Sequence, residues 1–207
     1  MTLLELREKI GYHALLLGAV ALAASVTLAG VDGKTRSGIA AAEQRDLQQS
    51  LAQVLPEGFA DNDLLKDKVN LKRADGSAVA VFRARLKGEA KGAVFQMSAR
   101  GYADEVVVLI GVDVGGRILG VRVLKHKETP GLGDKIEIAK GNWIRSFEGR
   151  SLGDPTAARF GVKKDGGVFD QFAGATITPR AVVKAVREGL QFFVANQPAI
   201  FAVPGKE

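Results

Sequence analysis

The sequence predicts an α+β protein, with a single N-terminal transmembrane helix followed by a mostly antiparallel sheet domain with helices. Three observations carry this reading. They are an uncharged apolar run near the N-terminus, strand-like runs divided by turn residues, and an amphipathic helix near the C-terminus.

Gly11 to Val31 holds 21 residues without a charged side chain, mostly Leu, Ala, Val and Gly. About 20 apolar residues cross a bilayer core, so this run is long enough to span. Tyr12 and His13 stand at its start, where an interface tolerates them. The competing reading is a cleaved signal peptide, with small residues near Ala29 for the cleavage site. The run exceeds the usual apolar stretch of such peptides, which favours the anchor. Arg7 and Lys9 precede it while Lys34 and Arg36 follow, so charge leaves the orientation open.

Thr35 to Leu55 reads as an amphipathic helix stopped by Pro56, with Ile39, Ala42, Leu47, Leu51, Val54 and Leu55 on a common side. Asp32-Gly33 marks an expected break before it; the alternative is a stalk continuous with the membrane helix. Strands follow at Ala78 to Leu86, Gly92 to Ala99 and Glu105 to Val114. The last is nearly all apolar and reads as a central strand. Gly115-Gly116 joins it to Arg117 to Leu124 through an inverse hairpin turn. A loop-rich part comes next, with a short helical stretch around Trp143 and Phe147. The final helix runs from Pro179 to about Val194, with Thr178 as N-cap and Pro179 as its first residue. The expected organisation is a head at residues 1–10, a membrane helix at 11–31, a stalk at 32–60 and a sheet domain at 61–207.

Composition narrows the chemistry. Cys is absent and His occurs twice, at His13 and His126. Disulfides, thiolate zinc sites, cysteine-ligated iron–sulfur clusters and multi-histidine metal sites are therefore excluded, and any redox work falls to an organic cofactor. The net charge of +6 comes from scattered Lys and Arg without interleaved aromatics, which argues against nucleic acid and for anionic headgroups or an acidic partner.

Gly174-Ala175-Thr176-Ile177-Thr178-Pro179 places a permissive backbone and a hydroxyl just ahead of a helix N-terminus. Unpaired N–H groups and the helix dipole favour an anion there, with Lys163, Lys164 and Arg180 near in sequence. An ordinary capped helix start fits the same residues. Gly166-Gly167 and Gly131-x-Gly133 lack a full phosphate-loop pattern and read as turns. Glu128 and Asp134 are expected to be solvated, and His126 to be a surface residue without an acid partner.

Two blocks, 125-KHKETPGLGDKIE-137 and 163-KKDGGVFDQFAGATITPRAVV-183, make the chain resemble RnfG, the G component of the Rnf electron-transport complex. That family shares a flavin-binding domain with NqrC, the corresponding component of the sodium-translocating NADH:quinone reductase and the second relative to weigh. The resemblance implies an FMN-binding domain whose flavinylation motif, Asp-x-x-Ser/Thr-Gly-Ala-Thr, is Asp170 to Thr176 here, with Ala173 where a hydroxyl residue is usual. It implies that FMN is joined to Thr176 by a phosphoester, installed by a flavin transferase that uses FAD. Asp170 would orient the motif for that enzyme, and Gly174 and Ala175 would frame the acceptor. The Glu128-Thr129-Pro130-Gly131-Leu132-Gly133 loop would lie against the flavin, with Thr129 on a ring edge and Leu132 on its face. Lys163 would stand near the phosphate, and Thr178 would cap the helix beside it. Implied as well are one-electron shuttling without substrate turnover by this chain alone, and partners among the integral membrane and ferredoxin/NAD-side subunits. The implied location is the bacterial inner membrane, single-pass, with the soluble domain periplasmic. A non-redox, membrane-anchored binding or assembly protein is the reading of a different class.

Overall fold

A computed structural model describes residues 10–73 and 75–202. The chain divides into two compact units, residues 1–47 and 48–207. Apart from Ile10, the expected head lies outside the described residues, as do Arg7 and Lys9.

Helix α1 runs Ile10–Gln53. Within it Gly11–Arg36 is long and apolar enough to cross a membrane, compatible with single-pass anchoring. Ser25 and Thr27 donate to the carbonyls of Ala21 and Ala23, each at 2.8 Å, so their hydroxyls need no water. The break expected at Asp32-Gly33 does not occur. Thr35 Oγ1 donates to Val31 O at 2.9 Å and Arg36 pairs with Asp32 at 2.8 Å across that stretch. One helical glycine costs about 1 kcal/mol, too little to interrupt a long helix. The helix ends at Gln53, short of the expected Leu55, because Pro56 disfavours helical geometry at the residue before it.

In the second unit five strands form an antiparallel meander in sequence order: β1 (Lys68–Lys72), β2 (Ala78–Leu86), β3 (Glu89–Arg100), β4 (Glu105–Asp113) and β5 (Ile118–Lys125). Strand β1 was not expected. Its KVNLK alternation carries a lysine at each end and lies on the sheet edge. The strand expected at the centre is β4, which is interior but second from the edge; β3 is the middle strand. The apolar run of β4 is explained by burial on both faces. Val108, Ile110 and Val112 join the core on one side. On the other, Gly111 of β4 pairs with Gly120 of β5, and the backbone of Val54 lies over both. A Cβ at either glycine would come within 2.8 Å of Val54 O, so the close approach requires them. Leu51 and Val54 are buried as expected, whereas Ile39 and Ala42 are exposed.

The β4–β5 turn is not of the inverse type. Gly116 N–H donates to Asp113 O at 3.1 Å and only Gly116, at φ 80°, is left-handed, while Asp113 Oδ1 takes the amides of Gly115 and Arg117. The aspartate's own turn-forming hydrogen bonds replace the two left-handed residues an inverse turn needs.

The final helix α2 spans Ile177–Phe201 and covers one face of the sheet. It passes the expected end at Val194 and includes Pro198. Its buried stripe includes Val182, Val186, Leu190 and Phe193, and Phe95 of β3 stacks on Phe193 with ring centres 6.2 Å apart. Each such side chain contributes about 1.5–3 kcal/mol on burial. A 3-10 turn at Trp143–Phe147, where a short helix was expected, packs Phe147 against Phe160 and Phe169. Trp143 meets Phe172 edge-on, and its Nε1 donates to Asp170 O at 2.8 Å. This aromatic group anchors the segment that leads into α2.

Candidate functional site

Three chain segments meet at a cleft of about 240 Å³. The β3–β4 turn supplies Tyr102. The loop after β5 supplies Glu128, Thr129, Leu132 and Gly133. The last turn before α2 and the start of that helix supply Gly174, Ala175, Thr176, Ile177 and Thr178.

The loop folds back through Thr129 O, which accepts the amides of Leu132 at 3.1 Å and Gly133 at 3.0 Å. This presents Leu132, 44% exposed, at the cleft rim. Before α2, Ala175 N–H donates to Phe172 O at 3.2 Å, with Gly174 left-handed at φ 78°. Ala173, the departure from the flavinylation motif, is an exposed position of that turn.

Glu128 ties the segments together. It is not solvated as expected but 5% exposed. Its Oε1 accepts the amides of Tyr102 at 3.0 Å and Ala103 at 3.3 Å, and its Oε2 accepts the hydroxyl of Thr178 in a short hydrogen bond. Two glycines make room for it. A Cβ at Gly101 would meet Glu128 Oε1 at 2.5 Å, and one at Gly133 would meet Thr178 Oγ1 at 2.8 Å and Glu128 Cβ at 2.9 Å. Its own amide donates to His126 Nδ1 at 3.1 Å. That acceptor role leaves the ring hydrogen on Nε2, which faces Glu137 Oε1 at 3.0 Å. His126 therefore does have an acid partner, and it is largely buried. Asp134 is buried as well, 4% exposed, because Lys140 reaches it at 2.7 Å. That hydrogen bond holds the Asp134 carboxyl below the usual carboxylate range.

Neither threonine caps the helix with its side chain. Thr178 is not the N-cap; it lies inside α2, 1% exposed, with its hydroxyl committed to Glu128. Pro179 is likewise past the first helical position, because proline needs no N–H partner anywhere in the first turn. Thr176 flanks the helix, its carbonyl accepts Arg180 N–H at 3.3 Å, and its side chain makes no cap hydrogen bond. The residue is half-buried and lines the cleft, next to the N-terminus of a 25-residue helix.

Lys163 and Asp170 do not line the cleft. They pair with each other at 2.6 Å, both exposed. Arg180 is turned to Asp165 in a two-pronged bond of 2.6 and 2.7 Å, which holds the Asp165 carboxyl below its ordinary value. Sequence reasoning missed Tyr102 and Ile177, 68% and 46% exposed, which complete an apolar rim with Leu132. An exposed tyrosine flanked by glycine in a tight turn was the signal available for the first.

The FMN-binding domain family matches residues 101–191, a stretch that contains all three segments. Proteins named as the G component of an ion-translocating oxidoreductase complex align along nearly the whole chain. The one from Cereibacter sphaeroides (strain ATCC 17023) is 50% identical over 188 residues, 91% of this chain and 86% of the relative. The one from Stutzerimonas stutzeri is 48% identical over 186 residues, 90% and 82% of the two chains. This chain belongs to that family. A Pseudomonas aeruginosa PAO1 member is 47% identical over 202 residues, covering 95% and 94% of the two chains. Among solved structures, Shewanella oneidensis NqrC aligns at a TM-score of 0.48 and 25% identity, over 69% of this chain and 73% of that one. Membership makes the chain a component of an ion-translocating oxidoreductase complex, with an FMN-binding domain of its own.

Proposed function

We propose that this chain carries FMN on Thr176 through a phosphoester and passes electrons within its complex, without turning over a substrate of its own. The observation that carries the reading is the division of labour between the two threonines. Thr178 has a buried, committed hydroxyl, while Thr176 lines the cleft and its side chain caps nothing. In the attachment step the Thr176 oxygen bonds to the flavin-side phosphorus of FAD, the pyrophosphate bond breaks, AMP leaves, and the hydroxyl proton passes to solvent or transferase. The first-turn amides of α2 and its dipole favour the phosphodiester anion that results.

The remaining residues suit a flavin. Leu132, Ile177 and Tyr102 offer apolar surface to a ring, and the Thr129 side chain offers a hydroxyl to its edge. At about 240 Å³ the cleft is smaller than the roughly 300–1,000 Å³ that encloses a drug-sized ligand, so a ring there keeps an exposed edge. FMN supplies the electron-accepting chemistry; the chain holds it and leaves that edge open to a partner's cofactor. Within this reading Asp170 and Lys163, exposed and paired, belong to the surface met by the transferase, and Gly174 and Ala175 shape the acceptor turn. The apolar stretch of α1 anchors the chain in the inner membrane, with the flavin domain on the periplasmic side and the other subunits of the complex as partners. The test is co-production with the flavin transferase. The wild-type chain is expected to give a flavin-fluorescent band after denaturing electrophoresis and Thr176→Val to give none. A dark wild-type band overturns the proposal.

A further inference from the structure

Glu128 is expensive to keep where it is. Among the described residues it has no Lys, Arg or His within ion-pair distance, although it is almost wholly buried. The nearby cations are engaged elsewhere: Lys127 with Asp104 at 2.8 Å and Lys140 with Asp134 at 2.7 Å. What faces the carboxyl group is two backbone amides, which can only donate, and one hydroxyl, which donates to it. That set satisfies the oxygens of a carboxylate. A buried carboxylate without a cation is costly in an ordinary core. The chain also spends two glycines, Gly101 and Gly133, to admit it. For tying segments together alone, a neutral amide would serve as well.

We propose that Glu128 is a positioning and tuning residue that keeps a fixed negative charge at the wall of the cleft and so lowers the reduction potential of the flavin held there. The inference rests on the flavin reading above. Adding an electron to a group beside a fixed anion is opposed by that anion, more strongly where water is scarce. Thr178 sets how much of the charge is felt, because the hydrogen it donates to Oε2 partly offsets the negative charge there. Glu128 thus acts on the cofactor through its field while its contacts hold the β3–β4 turn and the start of α2.

The experiment is a spectroscopic redox titration of the full-length, covalently flavinylated chain in detergent, comparing wild type, Glu128→Gln and Thr178→Val. Gln has the shape of Glu and offers one oxygen to the Tyr102 and Ala103 amides and one N–H₂ to Thr178, so it removes charge and keeps the ties. The expected result is a shift to more positive potential for Glu128→Gln and to more negative potential for Thr178→Val. An unchanged or more negative potential for Glu128→Gln overturns the proposal, since a merely structural residue would give that outcome. If Glu128→Gln yields no flavinylated protein, Thr178→Val decides alone: a lower potential supports the proposal and an unchanged one overturns it. A wild-type chain without covalent flavin overturns the parent reading and this inference with it.

Discussion

Thr178→Val separates a buried hydrogen bond to Glu128 from a helix cap. The threonine is 1% exposed and its partner carboxyl group 5% exposed, so water does not replace the lost donor. Valine keeps the volume and leaves no cavity; the change is one donor removed from one carboxylate oxygen. A hydrogen bond to a charged group is worth about 1.5–3 kcal/mol, and the stranded oxygen puts the expected loss near the upper end. For a domain the size of residues 48–207, each kcal/mol shifts Tm by roughly 2–4 °C, so a fall of about 5–10 °C is expected. The single tryptophan, Trp143, packs beside the segment leading into α2 and reports unfolding of the full chain by its emission. A loss within about 0.5 kcal/mol, the size of an ordinary surface substitution, would refute the reasoning. So would additivity with Glu128→Ala, which removes the shared hydrogen bond, because contacting partners couple in a double-mutant cycle.

Other substitutions follow the same logic. Thr176→Val is expected to abolish attached flavin while changing stability by no more than about 0.5 kcal/mol, since its side chain caps nothing; unfolding of the flavin-free chain checks this. Gly133→Ala drives a methyl to 2.8 Å from Thr178 Oγ1 and 2.9 Å from Glu128 Cβ, and is expected to cost about 1–3 kcal/mol by overpacking in a denaturant titration. Trp143→Phe removes the hydrogen bond to Asp170 O and is expected to cost about 1 kcal/mol; calorimetry reads it. Asp165, bonded by Arg180, has a depressed carboxyl value in the fold, so its contribution is present above the ordinary carboxylate value and disappears as pH falls through the depressed one. Asp165→Asn is therefore expected to lower stability slightly in the neutral region and to converge with wild type as pH falls through the depressed value.

Much of the fold was legible because its signals are local. The uncharged run from Gly11 is read from composition, and β2 through β5 from apolar residues between turns. β1 escaped because an edge strand needs only one apolar side, and KVNLK supplies little of it. The turn at Asp113 to Gly116 was misread because adjacent glycines suggest an inverse turn, while an aspartate two residues earlier captures the amides first. At the site, the acceptor loop and the ETPGLG loop were legible as segments, but their wiring was not. Thr-Pro marks a helix start without fixing which residue caps it, and the partner of Thr178 lies 50 positions away. Tyr102 enters through the β3–β4 turn, which no local pattern connects to α2.

The most direct measurement is peptide mapping by mass spectrometry of the wild-type chain made alongside its transferase. The peptide spanning 163–180 is expected to carry FMN less one water, with fragmentation assigning it to Thr176. An unmodified Thr176, or the same mass on Thr178, would contradict the assignment of the acceptor.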